Sequence, residues 1–328
     1  MKCLALIMAI AFPASGFAEY TVSEILVIPW GDGQNELEIW EPSLEYHDGP
    51  EIDTVGYLEV GGGPDITFAD RQDNFYFMSY SISYLKGFDI NGNVIVDYSQ
   101  GKTQFNDEFF RGMFINFYVD SLGRIYCGGD MIVKRYVAVT DRNNNLLYKL
   151  NPLGVESGIG CTLLDWGSDD VLTFSSLDGG RYTYRNGQFY EGGSTAWYAR
   201  DGYYYFGRIG GSSTIKLVKM SDPDTSGRPS WADTSYIPYE PGNLISGGLI
   251  GVDDSMRFYM KFHDSTSTES VIQIYDNDIT LLDEFRLLPR QENQYLWYTP
   301  YPFLRHDGNI YEFHCRDDGM HVFRWSRQ

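Results

Sequence analysis

Helical periodicity is what this chain most conspicuously lacks. Past residue 12 no segment sustains apolar residues at i, i+3, i+4 and i+7, which excludes a helix bundle or an alternating α/β fold. Long apolar runs are missing too. A membrane-crossing helix needs about 20 apolar residues, and charged or polar residues interrupt every stretch well short of that, so no membrane span is expected. Basic residues are scarce, with 25 Lys and Arg against 45 Asp and Glu, a formal charge of −20. Such a chain repels phosphate backbones, which excludes nucleic acid and anionic membrane as partners. Histidine occurs five times and cysteine four times, with no Cys-x-x-Cys pair and no His/Cys spacing of a zinc site. There is no Gly-x-Ser-x-Gly elbow. Gly61-Gly62-Gly63-Pro64 precedes a strand rather than a helix, so it is no phosphate loop.

The N-terminus has a composition of its own. Met1-Lys2, the apolar run from Cys3 to Phe12, and then Pro13-Ala14-Ser15-Gly16-Phe17-Ala18 form a basic, apolar and small-residue series typical of a secretory leader. Residues 1–18 are therefore expected to be removed by cleavage near Ala18, leaving a secreted or periplasmic domain over residues 19–328. Three cysteines would remain, Cys127, Cys161 and Cys315, and an odd number cannot all pair within one chain. A bridge between Cys127 and Cys161 and buried free thiols both stay open.

What the chain does have is a repeat. An acidic or Gly-rich turn followed by an apolar residue and usually tyrosine recurs about every fifty residues. The copies are Asp73-Asn74-Phe75-Tyr76, Gly123-Arg124-Ile125-Tyr126, Gly202-Tyr203-Tyr204-Tyr205, Met256-Arg257-Phe258-Tyr259 and Gly308-Asn309-Ile310-Tyr311, with a degenerate copy at Asp169-Asp170-Val171-Leu172. Hairpins fill the intervals. Residues 85–90 and 94–98 flank Asn91-Gly92-Asn93, and the pairs 136–140 with 146–150, 181–184 with 188–190 and 271–275 with 279–282 follow the same plan. Between Ile215–Lys219 and its partner lies a stretch rich in Asp, Ser, Pro and Gly, residues 221–234, expected to be an exposed loop.

Four short strands per repeat describe an all-β fold, a β-propeller of four-stranded antiparallel blades, and six blades are expected. The last repeat ends at its third strand, near His321 to Trp325. A spare strand at about 22–30 precedes the blades, which occupy about 64–328, and donating it to the last blade would close the ring. The phrases Asp120-Ser121-Leu122-Gly123-Arg124-Ile125-Tyr126 and Arg305-His306-Asp307-Gly308-Asn309-Ile310-Tyr311, with Gly87-Phe88-Asp89-Ile90-Asn91-Gly92-Asn93-Val94, resemble the NHL-type and TolB-like six-bladed propellers exported by bacteria. That resemblance implies architecture and export, and it says little about activity.

Candidate functional residues lie between the repeats. By analogy with other propellers, connections from fourth to first strands and from second to third strands form the binding face. Trp40 and His47 in the long 31–63 stretch, Trp231 in the 221–234 stretch, and Trp297 with Tyr298 near the C-terminus are candidates to grip a protein, peptide or glycan. His263 and His314 follow the second strands of successive repeats. With Asp264 they are the candidate ligands of a divalent metal, the group some amidating-lyase propellers carry. The reading from sequence is thus a monomeric, exported, non-catalytic binding or scaffolding module, with a metal-dependent hydrolase or lyase as the alternative.

Overall fold

The computed structural model describes residues 20–38, 64, 66–79, 84–98, 114–129, 136–166, 171–191, 197–199, 203–209, 214–221, 232–238, 244–264, 269–289 and 302–328. Strand β1 (Tyr20–Pro29) is followed by the first sheet, β2 (Ile66–Ala69), β3 (Phe75–Ser79), β4 (Tyr84–Phe88) and β5 (Val94–Asp97). The second sheet holds β6 (Phe114–Val119), β7 (Ile125–Gly129), β8 (Val137–Thr140) and β9 (Leu146–Leu150). The third holds β10 (Cys161–Trp166), β11 (Leu172–Ser176), β12 (Arg181–Arg185) and β13 (Gln188–Glu191). Each is an antiparallel meander whose spatial order is its chain order.

The fourth sheet has eight strands: β14 (Trp197–Ala199), β15 (Tyr203–Ile209), β16 (Thr214–Ser221), β17 (Ala232–Pro238), β18 (Leu244–Val252), β19 (Phe258–Asp264), β20 (Ser270–Tyr275) and β21 (Leu281–Arg286). The fifth contains β22 (Phe303–Leu304), β23 (Ile310–Arg316) and β24 (Gly319–Arg327), and β1 pairs antiparallel with β24 from Tyr20↔Arg327 to Pro29↔Gly319. The described strands thus form five sheets where six blades are expected. The cause is one pairing, Arg208↔Gly248, which joins β15 to β18 and merges two meanders. A second difference concerns the 221–234 stretch. Its last residues, Ala232 to Thr234, belong to β17 and pair with Met220, Lys219 and Val218.

Successive sheets stack face to face, which makes this arrangement a propeller. Strand alternation sends Tyr76 and Met78 one way and Phe75 and Phe77 the other. The former pack with Phe117 and Cys127 of the second sheet, in a core that continues to Cys161 and Phe174 of the third. The latter pack with Tyr311 and Phe313 of the fifth. Tyr259 in turn packs with Ile310 and Trp325 of the fifth. The repeated tyrosine therefore faces the next sheet around, and each fully buried aromatic contributes about 1.5–3 kcal/mol.

An aspartate six residues before the tyrosine explains the phrase. Asp70 Oδ1 accepts the N–H groups of Gln72 and Asn74, and Oδ2 accepts Asn74 Nδ2 at 2.7 Å and Tyr76 Oη at 2.9 Å. Asp120 holds Leu122 N, Arg124 N, Arg124 Nε and Tyr126 Oη in the same way. Asp253 holds Ser255 N, Arg257 N, Arg257 Nε and Tyr259 Oη. One carboxylate thereby closes a five-residue turn and accepts the proton of a buried phenol. In the fifth sheet that position is Arg305. Tyr311 Oη and Arg305 Nη1 both donate instead to Asp73 of the first sheet, so the missing acceptor is supplied across the seam.

Candidate functional site

The two ends of the sheets differ in how the chain turns. At one end the connections from first to second and third to fourth strands include the tight turns 70–74, 89–93, 120–124, 141–145, 253–257, 276–280 and 305–309, and one longer connection between Ser221 and Ala232. At the other end three long connections leave the sheets, between Pro29 and Ile66, Asp97 and Phe114, and Arg286 and Phe303. They lead into the first, second and fifth sheets. The fifth packs against the first, and the first against the second. The strands into which the three connections lead therefore belong to adjoining sheets.

Buried ionic groups hold the bases of two of them. Residues 30–38 fold back on themselves through Gly31 N to Leu37 O (3.0 Å) and Leu37 N to Pro29 O (2.9 Å), with Leu37 fully buried. Lys86 on β4 reaches this segment from below. It is only 1% exposed, and its ammonium donates to Glu36 O at 2.7 Å and Gly33 O at 3.3 Å. Tyr84 Oη donates to Glu38 O at 3.1 Å, and Trp30 Nε1 donates to Arg316 O at 2.6 Å. A buried ammonium is tolerated only where acceptors surround it. Lys86→Met should therefore loosen the segment while leaving the sheets folded. Amide exchange at Gly31 and Leu37 is expected to accelerate about ten- to a hundredfold, matching the 1.5–3 kcal/mol or so of a charged hydrogen bond. Unchanged exchange would show that Lys86 is not the anchor.

At the other long connection the charge is reversed. Glu312 Oε2 accepts Trp325 Nε1 at 2.5 Å and Leu288 N at 3.2 Å, just after β21 ends. His314 Nε2 lies 3.3 Å from its Oε1, and the imidazole packs edge-on against Phe323.

The candidate residues fare differently. Trp40, His47, Trp231, Trp297 and Tyr298 lie outside the described residues. The strands bracketing them are β1 and β2 for Trp40 and His47, β21 and β22 for Trp297 and Tyr298, and β16 and β17 for Trp231. His263 and His314 lie inside β19 and β23 rather than after them. His263 is in phase with Tyr259 and His314 out of phase with Tyr311, so alternation turns both toward the seam between fourth and fifth sheets. His263 Nδ1 sits 3.4 Å from Ser270 Oγ, and Asp264 Oδ2 accepts Arg286 Nη1 at 2.9 Å. Among the described residues no group of three His, Cys, Asp or Glu could hold a metal ion.

His321 is a residue that sequence reading passes over. Its Nδ1 lies 2.8 Å from Glu24 Oε2 and its Nε2 2.8 Å from Asp318 Oδ1, which ties β1 to the β23–β24 turn. Glu24 is 297 residues away, so no local pattern signals the pair. Cys127, Cys161 and Cys315 are buried free thiols. Burial pushes the Cys161 and Cys315 thiols up to about 12, which keeps them protonated and poor nucleophiles.

No family model matches the sequence, and no curated protein matches it. Among solved structures the chain is similar to a member of the DUF4221 family from Bacteroides vulgatus, at 10% identity over 90% of this chain and 99% of that one, with a TM-score of 0.47. A virginiamycin B lyase from Staphylococcus aureus with quinupristin shows 13% identity over 94% and 100%, with a TM-score of 0.43. Regucalcin, a calcium-binding protein from Agrobacterium tumefaciens, shows 12% identity over 80% and 90%, with a TM-score of 0.46. The assignment to a propeller rests on the strand pairing and stacking described above.

Proposed function

We propose that the protein is an exported binding module whose ligand, a protein, peptide or glycan, engages the long connections over the fifth, first and second sheets. The observation that carries this reading is that all three connections lead into sheets that pack on one another, with Lys86 and Glu312 holding residues 33–36 and Leu288 at the bases of two of them. A steady base under variable loops is how scaffolds present recognition surfaces. Counting the eight-stranded sheet as two meanders bridged at one position makes six blades, and β1 completes the last of them. Trp40, His47, Trp297 and Tyr298 belong to the proposed surface, whereas Trp231 belongs to a third-to-fourth-strand connection.

The test is a glycan and peptide array probed with the processed chain and with its Trp40→Ala/Trp297→Ala variant. A ligand bound by the former and weakened about thirtyfold by the variant, at unchanged Tm, supports the module. The alternative is a hydrolase or lyase with a divalent metal near His263 and His314, and it draws support from the shared seam those side chains face. Stoichiometric metal in chelator-free protein, lost in His263→Ala/His314→Ala, would overturn the module in its favour.

A further inference from the structure

Asparagine followed by glycine occurs twice in this chain, at Asn91-Gly92 and Asn186-Gly187. The step has a chemistry of its own. The side-chain carbonyl carbon of the asparagine is one five-membered ring closure away from the next backbone nitrogen, and glycine has no Cβ to shield that nitrogen. Both steps occupy hairpin turns between third and fourth strands, and the two turns hold them differently.

Asn91 sits in a closed turn. Gly92 N donates to Asp89 O at 2.9 Å, and Asp89 Oδ1 accepts the N–H groups of Asn91 and Asn93, each at 2.9 Å. A Cβ on Gly92 would meet Leu26 Cδ1 at 3.5 Å. The nitrogen is engaged and its charged neighbour is a carboxylate.

Asn186 sits in an open one. It and Gly187 form the whole loop between Arg185 and Gln188, the last pair of β12 and β13. Asn186 has φ +51° and Gly187 φ +78°, the two positive values of a type I′ turn. Both residues are exposed, and nothing lies within 4 Å of the Gly187 Cβ position. Gly187 N and the Asn186 side-chain amide hydrogen-bond to no described residue. The charged neighbour is Arg185, whose cation favours an amide anion as the Asp89 carboxylate disfavours one. β13 is the end strand of its sheet, so the turn opens without breaking the rest of the meander.

We infer that Asn186 is a site of spontaneous covalent modification in the folded protein, by way of a succinimide, and that the turn around Asn91 protects its Asn-Gly step. Hydroxide takes the Gly187 N–H proton, and the nitrogen's electron pair forms a bond to Asn186 Cγ. The Cγ–Nδ2 bond breaks, and Nδ2 takes a proton from water and leaves as ammonia. One water then adds across an imide C–N bond. Opening at Cγ gives aspartate, and opening at the α-carbonyl gives isoaspartate, whose main chain runs through Cβ and is one carbon longer. Either product replaces a neutral amide with a carboxylate beside Arg185. Isoaspartate also lengthens a loop built for two residues, which loosens the Arg185↔Gln188 pair and then Phe189, packed 5.2 Å from Phe174 and 4.8 Å from Tyr184.

The experiment ages the full chain in mildly alkaline buffer, folded and in denaturing urea, and follows tryptic peptides 87–102 and 186–200 by mass with fragmentation to place the change. In the folded chain Asn186 is expected to convert about two- to tenfold faster than Asn91, the factor of the one backbone hydrogen bond that holds Gly92. In urea the two rates should converge. An isoaspartate-specific methyltransferase should label the aged chain, and Asn186→Gln should lose most of that label. Equal rates in the folded chain, faster conversion at Asn91, or undiminished labelling of Asn186→Gln would overturn the assignment. A preference as large in urea as in the folded chain would trace it to the neighbouring sequence and overturn the role of the turns.

Discussion

Gly308→Ala is expected to cost about 2–5 kcal/mol of stability, read as a lower urea midpoint with an unchanged slope. Two effects add at this position. Gly308 has φ +87°, where an L side chain costs about 1–2 kcal/mol. A Cβ there would also stand 2.7 Å from Tyr259 Oη, 2.9 Å from Arg257 Nη2 and 3.1 Å from Asp253 Oδ2. Those three groups form the closed turn of the neighbouring meander and cannot yield without breaking its hydrogen bonds, which adds about 1–3 kcal/mol. Gly179 provides the control, with φ +86° and nothing within 4 Å of its Cβ position. Gly179→Ala should show the backbone cost alone, about 1 kcal/mol. Equal losses at the two sites would mean that packing of the fifth sheet's turn against Asp253 contributes nothing.

Asp253→Ala is expected to be of similar size or larger, about 3–5 kcal/mol. Removing the carboxylate strands two turn N–H groups and the Arg257 guanidinium together and leaves the Tyr259 hydroxyl with only that of Tyr20. The side chain of Arg257 is 17% exposed, so water replaces little of what it loses. Burial, and then the charge of Asp253, raises the Tyr259 pKa, so the phenol stays a donor at any physiological pH. At Asp120 the same network has an arginine that is 35% exposed, and Asp120→Ala should cost roughly half as much. Paired urea denaturations decide the ranking, and the reverse order would separate the effect from arginine burial.

Much of the architecture is legible because it is local. The hairpin at Asn91-Gly92 and the pairs at 136–150, 181–190 and 271–282 are read from turn residues and alternation, and all appear as adjacent strands. The tyrosine phrase is visible for the same reason. Its aspartate at Asp70, Asp120 and Asp253 is equally visible once the copies are aligned on the tyrosine, although the phrase was read from its turn onward. The merging of two meanders through Arg208 and Gly248 is not visible, since one cross-strand contact leaves no periodic trace. Nor is the role of Lys86, because a lysine in a strand ordinarily signals solvent and its carbonyl acceptors lie about fifty residues upstream in a loop. The His263, His314 and Asp264 reading rests on residue type and on a position just after the second strands, whereas all three lie within those strands. Asp264 is engaged by Arg286, a pairing that sequence distance conceals.

Arg305 in place of the expected aspartate also sets an order in time. Tyr311 takes its acceptor from a residue made 238 positions earlier, and β24 takes β1 as its outer neighbour across spans of up to about three hundred residues. Contacts so distant in the chain form slowly, because loop closure precedes any gain from them. The first sheet therefore holds an unused carboxylate until Arg305 and Tyr311 arrive. The first sheet's turn and the fifth sheet are thus completed together, as one cooperative step.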